Sequence, residues 1–393
     1  MKELAGYSKN MRKWTDKEES YLRDNPSQTN AEIGKILNRS EDAIRRKRRR
    51  LGLVQEPLLT PIEQHKKAKI EKYDKQYVKK LLNEKADRDI MLDILKEIVP
   101  VIDFTPRPLP KHKKSNNKEI AVLNINDVHI GRYPIDVLEK KADELVNSAI
   151  RIVEIQRQGA DISELVINFV GDIVDGDGIF PAQAYEQKFH LMEQMFGVGL
   201  PVMSNMLNEL SNHFEKITIN CVRGNHGRVS KFTDEDLNFD NIFYHILELA
   251  TKNNPRLHWN IAKKWYMIAK ISKFGFFLTH GNYIKTWLNI PFYGIKEKGM
   301  RWQGSLTKQE TIKINKEWVR VQKEYWDFIV LGHFHTSLYF RWNNWRCVLG
   351  GTWLDSDDFA ESVLGLDSAT EQTIFGINEK RGITWMRNID LSK

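Results

Sequence analysis

Five groups of side chains that can bind metal ions recur along the chain, each directly after a short apolar run. In chain order they are Asp127-Val128-His129, Gly171-Asp172, Gly224-Asn225-His226, Thr279-His280-Gly281 and Gly332-His333-Phe334-His335. Carboxylate, imidazole and amide ligands without thiolates suit Mn, Fe, Zn or Mg better than a cysteine-type zinc site. The D-x-H and H-x-H spacings place both side chains on one side of an extended segment. Each pair could therefore share one metal ion or span two.

The apolar runs that precede these groups predict buried β-strands. They cover residues 121–125, 165–170, 216–222, 274–280 and 328–333. The polar groups are 45 to 55 residues apart, which leaves room for a crossover helix and a further element between successive strands. This alternation predicts an α/β domain whose strand ends carry the function.

The motifs D-x-H, G-D, G-N-H, H and G-H-x-H, in this order, resemble those of the calcineurin-like metallophosphoesterases. The resemblance covers roughly residues 120–350 and is strongest to the DNA-repair exonuclease-like branch. It implies an α/β fold, a four-layer αββα sandwich, here preceded by a small helical domain. It also implies two divalent metal ions as cofactors, manganese being the first expectation and magnesium, iron or zinc the alternatives.

The resemblance further implies a role for each matching residue. Asp127, His129 and His335 would bind the first ion. Asn225, His280 and His333 would bind the second, and Asp172 would bridge the two. In this chemistry a hydroxide shared by the metal ions attacks the phosphate. His226 would lie beside the scissile phosphate without binding metal, where it could stabilise the transition state or protonate the leaving oxygen.

The sequence departs from the family pattern directly after G-N-H. Many members carry an acid there that orients the histidine, whereas this chain has Gly227 and Arg228. This weakens the expectation of a histidine–carboxylate dyad from that position. Asp175, or an acid from elsewhere, could take the role. Arg228 could contact the substrate phosphate or form an ordinary surface salt bridge.

Residues 12–53 predict three short helices. Thr15 and Glu18 form a capping box for the first, the second follows Thr29 or Asn30, and the third runs from Ser40 to Gly52. With a core of Trp14, Ile33, Leu37, Ile44 and Leu51, the segment resembles a Myb/SANT-like helix-turn-helix. In such folds the third helix enters the major groove, which implies DNA contacts from Arg45, Arg46, Arg48, Arg49 and Arg50. A solvated basic face or a protein-docking helix is the alternative.

Charge is unevenly distributed and supports a division into three parts. Residues 1–55 hold 14 Lys/Arg against 8 Asp/Glu, and residues 56–118 hold 15 against 10, whereas residues 119–393 carry a net charge of −3. We predict a DNA-binding module at 1–55 and a charged helical connector with a Pro/Lys-rich linker at 56–118. Residues 119–393 would form the phosphoesterase domain. The basic front should attract a polyanion.

Aromatic and basic residues also interleave between His280 and His333. In residues 283–305 this pattern suits stacking on bases combined with phosphate contacts. The candidates for substrate contact are Tyr293, Lys298, Arg301 and Trp302. A loop that packs its aromatic rings onto the core is an equally good interpretation.

Together these features predict a metal-dependent DNA nuclease, with endonuclease and exonuclease action both open. A phosphomonoesterase or protein phosphatase, and a non-catalytic DNA-binding regulator, are the alternatives. Two cysteines exclude a disulfide framework. The lack of a signal-peptide pattern or a span-length apolar run predicts a cytoplasmic protein without membrane contact. DNA is the expected partner, while a homo-oligomeric state and an ATPase partner stay open.

Overall fold

The computed structural model describes most of the chain. The described residues are 14–53, 89–111, 114–176, 179, 187–229, 237–287, 290–305, 309–314, 317–322, 325–355 and 369–392. Chain contacts divide the protein into two compact units, 1–86 and 87–393. The division lies inside the predicted connector.

Residues 14–53, the described part of the first unit, contain three helices at the predicted positions. They are α1 (Asp16–Asp24), α2 (Asn30–Leu37) and α3 (Glu41–Arg50). Capping boxes, in which Thr15 and Thr29 exchange hydrogen bonds with the residue three positions on, begin α1 and α2. Leu22, Ile33 and Ile44 are completely buried and form the centre of a small core. Local signals therefore position α1 and α2.

The second unit has a mixed α/β fold built on two large sheets, as the sequence predicts. Its helices are α4 (89–98), α5 (Ile135–Gln156), α6 (Leu200–Ser211), α7 (Phe239–Ala250) and α8 (Phe292–Ser305). A 3₁₀ turn covers Ile130–Arg132 and a π-helix covers Glu193–Gly199. Strands β1 to β6 are Lys118–Ile125, Asp161–Phe169, Lys216–Cys221, Leu257–Ile261, Tyr266–Ile271 and Phe274–Thr279. Strands β7 to β13 are Gln309–Ile314, Glu317–Gln322, Phe328–Leu331, Leu338–Trp342, Trp345–Leu349, Glu371–Asn378 and Gly382–Asp390.

The two large sheets face each other across an apolar core. One has the order β13-β12-β1-β2-β3-β4 and the other β10-β11-β9-β6-β5, while β7 and β8 form a separate hairpin. Residues such as Val122 and Phe276 fill the space between the sheets. Helices α5, α6 and α7 cover the outer face of the six-stranded sheet. Helix α8 contributes Ile295 and Trp302 to a third core on the outer face of the five-stranded sheet.

An asparagine ladder crosses the parallel part of the larger sheet. Asn124, Asn168, Asn220 and Asn260 are register partners on β1 to β4, and each side chain bonds to the next at 2.9 to 3.0 Å. A one-residue slip would send these amides to the opposite face and leave buried polar groups unpaired. The ladder therefore aligns the carboxyl ends of β1, β2 and β3 at one edge.

The five predicted strands are present, whereas β4, β5, β7, β8 and β10 to β13 were not predicted from the sequence. The charged connector is predicted to be helical; its residues 56–88 lie outside the described part, and residues 89–98 are helical. The Pro-rich segment after this helix packs on the body, since the Ile102 amide donates to the Ala250 carbonyl at 2.8 Å. Within the described residues, no helix combines the length and the apolarity needed to cross a membrane.

Candidate metal centre

The polar groups at the ends of β1, β2, β3, β6 and β9 meet at one edge of the two sheets. Five of the predicted ligands have left-handed backbone conformations, with φ between 51° and 73°: Asp127, His129, Asp172, His333 and His335. Non-glycine residues rarely adopt this region, and such residues concentrate at functional sites. The backbone of these five residues is therefore strained at this edge, where each strand ends and the chain turns.

The first ligand group consists of Asp127, His129 and His335. One candidate ligand atom from each lies within 4.8 Å of the others. Asp127 is completely buried; its Oδ2 accepts hydrogen bonds from the His333 amide and the Asn126 side chain, both at 2.8 Å. Its Oδ1 lies 3.3 Å from His335 Nε2. The carboxylate is therefore held by one oxygen and directs the other toward the imidazoles.

The second ligand group consists of Asp172, His280 and His333, whose ligand atoms also lie within 4.8 Å of one another. The Nδ1 of His280 lies 2.8 Å from the Val170 carbonyl, which assigns the ring proton to Nδ1. His280 Nε2 then faces Asp172 Oδ2 at 2.8 Å. A backbone carbonyl that orients a histidine in this way is the usual outer partner of a metal-binding imidazole.

Unsatisfied acceptors indicate that this set of residues fits a bound cation. Among the described residues, both ring nitrogens of His129 and the Oδ1 of Asn225 are buried and have no hydrogen-bond partner. Burying such groups without a partner costs free energy that a protein normally avoids. An ion coordinated by these atoms removes that cost, and the mixture of carboxylate, imidazole and amide suits a divalent metal.

The charges of the buried carboxylates dominate the electrostatics of the centre. Burial alone would lower the pKa of His280, but the Asp172 carboxylate outweighs it and raises this pKa to about 9. Burial and the neighbouring His280 lower the pKa of His333 to about 4. Burial would raise the pKa of Asp172, yet the surrounding histidines hold it well below its ordinary value. The negative potential at Asp172 is thus able to attract a cation.

A third group joins His226 to Asp175. The Nδ1 of His226 lies 2.6 Å from Asp175 Oδ1, and the other oxygen of Asp175 is paired with Arg132. Burial would raise the pKa of Asp175, but the neighbouring His129 and His226 imidazoles hold it far below its ordinary value. Burial would lower the pKa of His226, but the Asp172 and Asp175 carboxylates outweigh it, so this pKa is raised above its ordinary value. Asp175 therefore provides the carboxylate partner that Gly227 does not.

Sequence reasoning missed the residue that holds Asp175 in place. The buried Gln194 side chain accepts from the Asp175 amide and donates to its carbonyl, both at 2.9 Å. Gln194 lies in the π-helix Glu193–Gly199, a rare element that is often found at functional sites. Arg132 was also missed, although it follows D-x-H by only three residues.

Asp240 is a second buried positioning residue that the sequence analysis did not identify. Its carboxylate accepts backbone N–H bonds from Asp172 and Gly224 at 3.0 and 2.7 Å, and it also accepts from Ile173 and Val174. A Cβ at Gly227 would approach the Asp240 amide to 3.0 Å and the Asn238 side chain to 2.7 Å. The acid common after G-N-H therefore has no room here.

The arginines of α3 do not share one environment. Arg45 and Arg46 are exposed and pair with Asp42, and Arg50 is exposed. The side chain of Arg49 lies outside the described residues. The prediction that Arg48 contacts DNA needs correction: Arg48 is only 7% exposed and donates to the carbonyls of Gln28 and Asn25 at 2.8 and 2.7 Å. It connects α3 to the α1–α2 turn instead.

The predicted contacts in residues 283–305 also divide between surface and core. Tyr293 is 53% exposed, and Arg301 is exposed and pairs with Glu297 at 2.7 Å. Lys298 is half-buried. Trp302 is 7% exposed and stacks on Phe277 in the third core. The prediction that Trp302 contacts a base needs correction, because its ring is buried against the core.

Arg228 lies beside the ligand groups. Its Nε donates to the Asn225 carbonyl at 3.2 Å. It also lines a small cavity together with Arg223, Gly224, Trp265, Asn282 and Tyr283. The two arginines give this side of the centre a positive edge, next to the strand end that carries Asn225 and His226.

A family model described as calcineurin-like phosphoesterase matches residues 120–359. The fold is similar to that of an archaeal phosphodiesterase, with 13% identity, 68% of this chain and 98% of the other covered, and a TM-score of 0.33. It is also similar to vacuolar protein sorting 29 from Cryptosporidium parvum, with 15% identity, 70% of this chain and 99% of the other covered, and a TM-score of 0.31. A third similar structure is the Yfce phosphoesterase from E. coli, with 13% identity, 69% of this chain and 100% of the other covered, and a TM-score of 0.26. None of the curated proteins compared with the chain matches it.

Proposed function

The chain belongs to the calcineurin-like phosphoesterase family, and from that premise we propose that it is a two-metal-dependent phosphodiesterase that cleaves DNA. The observation that carries the proposal is the set of buried acceptors without donors among the described residues, His129 and Asn225, at the point where five strand ends meet. Buried groups of this kind fit metal ions better than they fit a purely structural role.

The ligand roles follow the two groups of side chains. Asp127, His129 and His335 would hold one ion. Asn225, His280 and His333 would hold the other, and Asp172 would serve both. When bound, two divalent cations neutralise phosphate charge and activate water for in-line attack. Asp127 and His280 are already oriented for this task by the hydrogen bonds of Asp127 Oδ2 and His280 Nδ1.

His226 would act on the substrate rather than on metal. Its Nδ1 proton is directed to Asp175, so its Nε2 can carry the proton that goes to the leaving oxygen. The pairing of Asp175 with Arg132, and the hold of Gln194 on its backbone, would keep this imidazole in one orientation. His226 thus combines the role of acid with that of a charge beside the phosphate.

DNA as the substrate is supported by the basic first unit. Residues 1–55 carry a net charge of +6, and Arg45 and Arg46 lie exposed on one helix. Exposed arginines on a third helix of this kind can contact phosphates or guanine edges. The proposal includes manganese as the natural metal and a role in DNA repair, with the cut polarity left to experiment.

Cleavage assays test the proposal directly. The full chain with Mn²⁺ or Mg²⁺ should cut supercoiled, linear duplex or single-stranded DNA and should also hydrolyse a small chromogenic phosphodiester. A variant lacking residues 1–55 should keep the small-ester activity, because that substrate needs only the metal centre, and should lose duplex affinity. Turnover of phosphopeptides but not of DNA would reject the nuclease in favour of a protein phosphatase.

A further inference from the structure

One tryptophan, Trp287, follows the predicted ligand His280 by seven residues and is exposed to solvent. Trp287 is 63% exposed, while every other tryptophan whose side chain the structure describes is buried or half-buried. Tyr293 is 53% exposed, and its ring lies 5.8 Å from that of Trp287 at an interplanar angle of 84°. The two rings meet edge to face, so each can offer a face to a ligand. Contiguous exposed apolar surface, unlike a single exposed side chain, marks an interaction site.

Backbone hydrogen bonds hold Trp287 in place. The Trp287 amide donates to the Ile290 carbonyl at 3.2 Å, and the Ile290 amide donates back at 2.9 Å. The adjoining Phe292 ring packs on Phe340, with centroids 4.7 Å apart. The two hydrogen bonds between Trp287 and Ile290 fix the backbone from which the Trp287 ring projects, so less conformational entropy is lost when a ligand stacks on the ring. This aromatic tip, defined here as Trp287 and Tyr293, is therefore suited to binding.

The aromatic tip is attached to two strand ends that carry ligands. Trp287 follows His280 by seven residues, so their Cα atoms can be at most about 25 Å apart. Phe340, on which the neighbouring Phe292 packs, follows His335 by five residues. A Cβ on Gly281 would touch His333 and Phe334 at 3.4 Å, which shows how closely the two segments leave the centre. A strand held at the metals would reach the tip within a few nucleotides.

The surroundings of the tip suit a nucleic acid strand. Lys285, two residues before Trp287, is exposed. Lys296, three residues after Tyr293, carries an ammonium that lies 4.0 Å above the half-buried Trp342 ring. Aromatic rings that alternate with cations bind unpaired strands, because every base has a face that can stack and every nucleotide a phosphate. In a duplex the base faces are covered by their neighbours. The tip therefore favours an unpaired strand over a blunt duplex.

We propose that Trp287 and Tyr293 form a stacking subsite for an unpaired base of the DNA strand that is cleaved. The proposal rests on the proposed nuclease function and specifies its substrate as single-stranded DNA or a duplex with a single-stranded end. The ring of Trp287 supplies the stacking face, and Tyr293 limits where the base can lie.

An abasic scan tests this subsite in the full chain with Mn²⁺. A labelled single-stranded oligonucleotide carries one abasic residue, moved one position at a time, and the cleavage rate at every bond is read from a gel. In the wild type, bonds at one fixed distance from the abasic residue should be cut roughly 10-fold more slowly, because one stacking contact is lost. Trp287→Phe should keep this position dependence, and Trp287→Leu should lose it while cutting intact DNA about 10-fold more slowly.

The controls separate this proposal from the function on which it depends. Both Trp287 variants should hydrolyse the small chromogenic diester at the wild-type rate, and Ile155→Ala, an exposed apolar residue at the end of α5, should behave as wild type throughout. If the wild type cleaves the small diester but no DNA, the nuclease function itself fails. If it cleaves DNA without position dependence, or if Trp287→Leu and Trp287→Phe behave alike, the stacking subsite is rejected. The tip is then better explained as a surface for a protein partner.

Discussion

The three-helix unit and the metal centre both bury charged side chains, but they satisfy them differently. In the helical unit Glu18 is 6% exposed and its carboxylate pairs with Arg39 at 2.9 Å, while Arg48 is surrounded by backbone carbonyls. In the metal centre His129 and Asn225, both within the described residues, keep buried acceptors without donors.

This difference separates structural polar groups from functional ones. A buried ion pair with complete hydrogen bonding contributes to one folded arrangement, and removing one partner is costly. A buried acceptor without a donor is a cost to the fold unless a ligand compensates it. Substitutions in the helical unit should therefore change stability, and substitutions in the metal centre should change metal content and turnover.

The largest effect is expected for Asp172→Asn. In the wild type the backbone N–H of His226 donates to Asp172 Oδ1 at 2.8 Å. The side-chain oxygen of asparagine can accept the same bond, so the fold should persist. Loss of the charge shared by both ligand groups should reduce metal content and bring hydrolysis of the small diester to background. Metal analysis by mass spectrometry and a turnover assay would measure both, with the exposed Asp143→Asn as the matched control. Full metal content with normal turnover would refute the ligand assignment.

A smaller loss is expected for His226→Gln. Turnover should fall by about 10²–10⁴-fold, the usual range for a group that transfers a proton in the transition state, while metal content stays at the wild-type level. Asp175→Asn removes the carboxylate partner of His226 and should cost about 10- to 100-fold. Loss of metal in His226→Gln would instead show that His226 is a metal ligand and not a residue that acts on the substrate.

The arginines of α3 bring the same comparison into the helical unit. Arg48→Ala should destabilise that unit by about 2–3 kcal/mol, because it leaves the carbonyls of Gln28 and Asn25 without their charged donor. The double variant Arg45→Ala, Arg46→Ala should stay folded. It should weaken duplex binding, and the log–log salt dependence should lose about 0.9 for each phosphate contact removed. Equal melting temperatures for all variants would show that Arg48 is not structural.

The smallest effect concerns acid stability. The hydrogen bond with Arg39 lowers the pKa of Glu18 from 4.5 to about 2 in the folded unit. Its stabilisation is therefore complete above pH 4.5 and is lost as the pH falls toward 2. Solvent lies close to every residue of so small a unit, so the contribution should be about 1–2 kcal/mol. Unfolding of residues 1–86, followed by circular dichroism, should show this pH dependence in the wild type and not in Glu18→Gln.

Much of the fold could be predicted because its signals are local. The capping boxes of Thr15 and Thr29 specify where helices begin through residues only three positions apart. The apolar runs before Asp127 and Asp172 likewise predict strands from their own composition. The order of the five motifs, through the family resemblance that it carries, predicts which side chains share a metal centre.

Only the tertiary structure decided which polar residues are satisfied and which are not. Asp175 becomes the partner of His226 across 51 residues, and Asp240 holds the backbone of Asp172 from 68 residues away. Arg48 and Trp302 are buried, although each lies in a segment rich in basic residues that suits a surface. Such outcomes depend on which elements pack together and at what register, and residue types along the chain do not encode that information locally. The residue types of the centre can be read from the sequence, whereas the orientation of these side chains and the residues that surround them depend on packing.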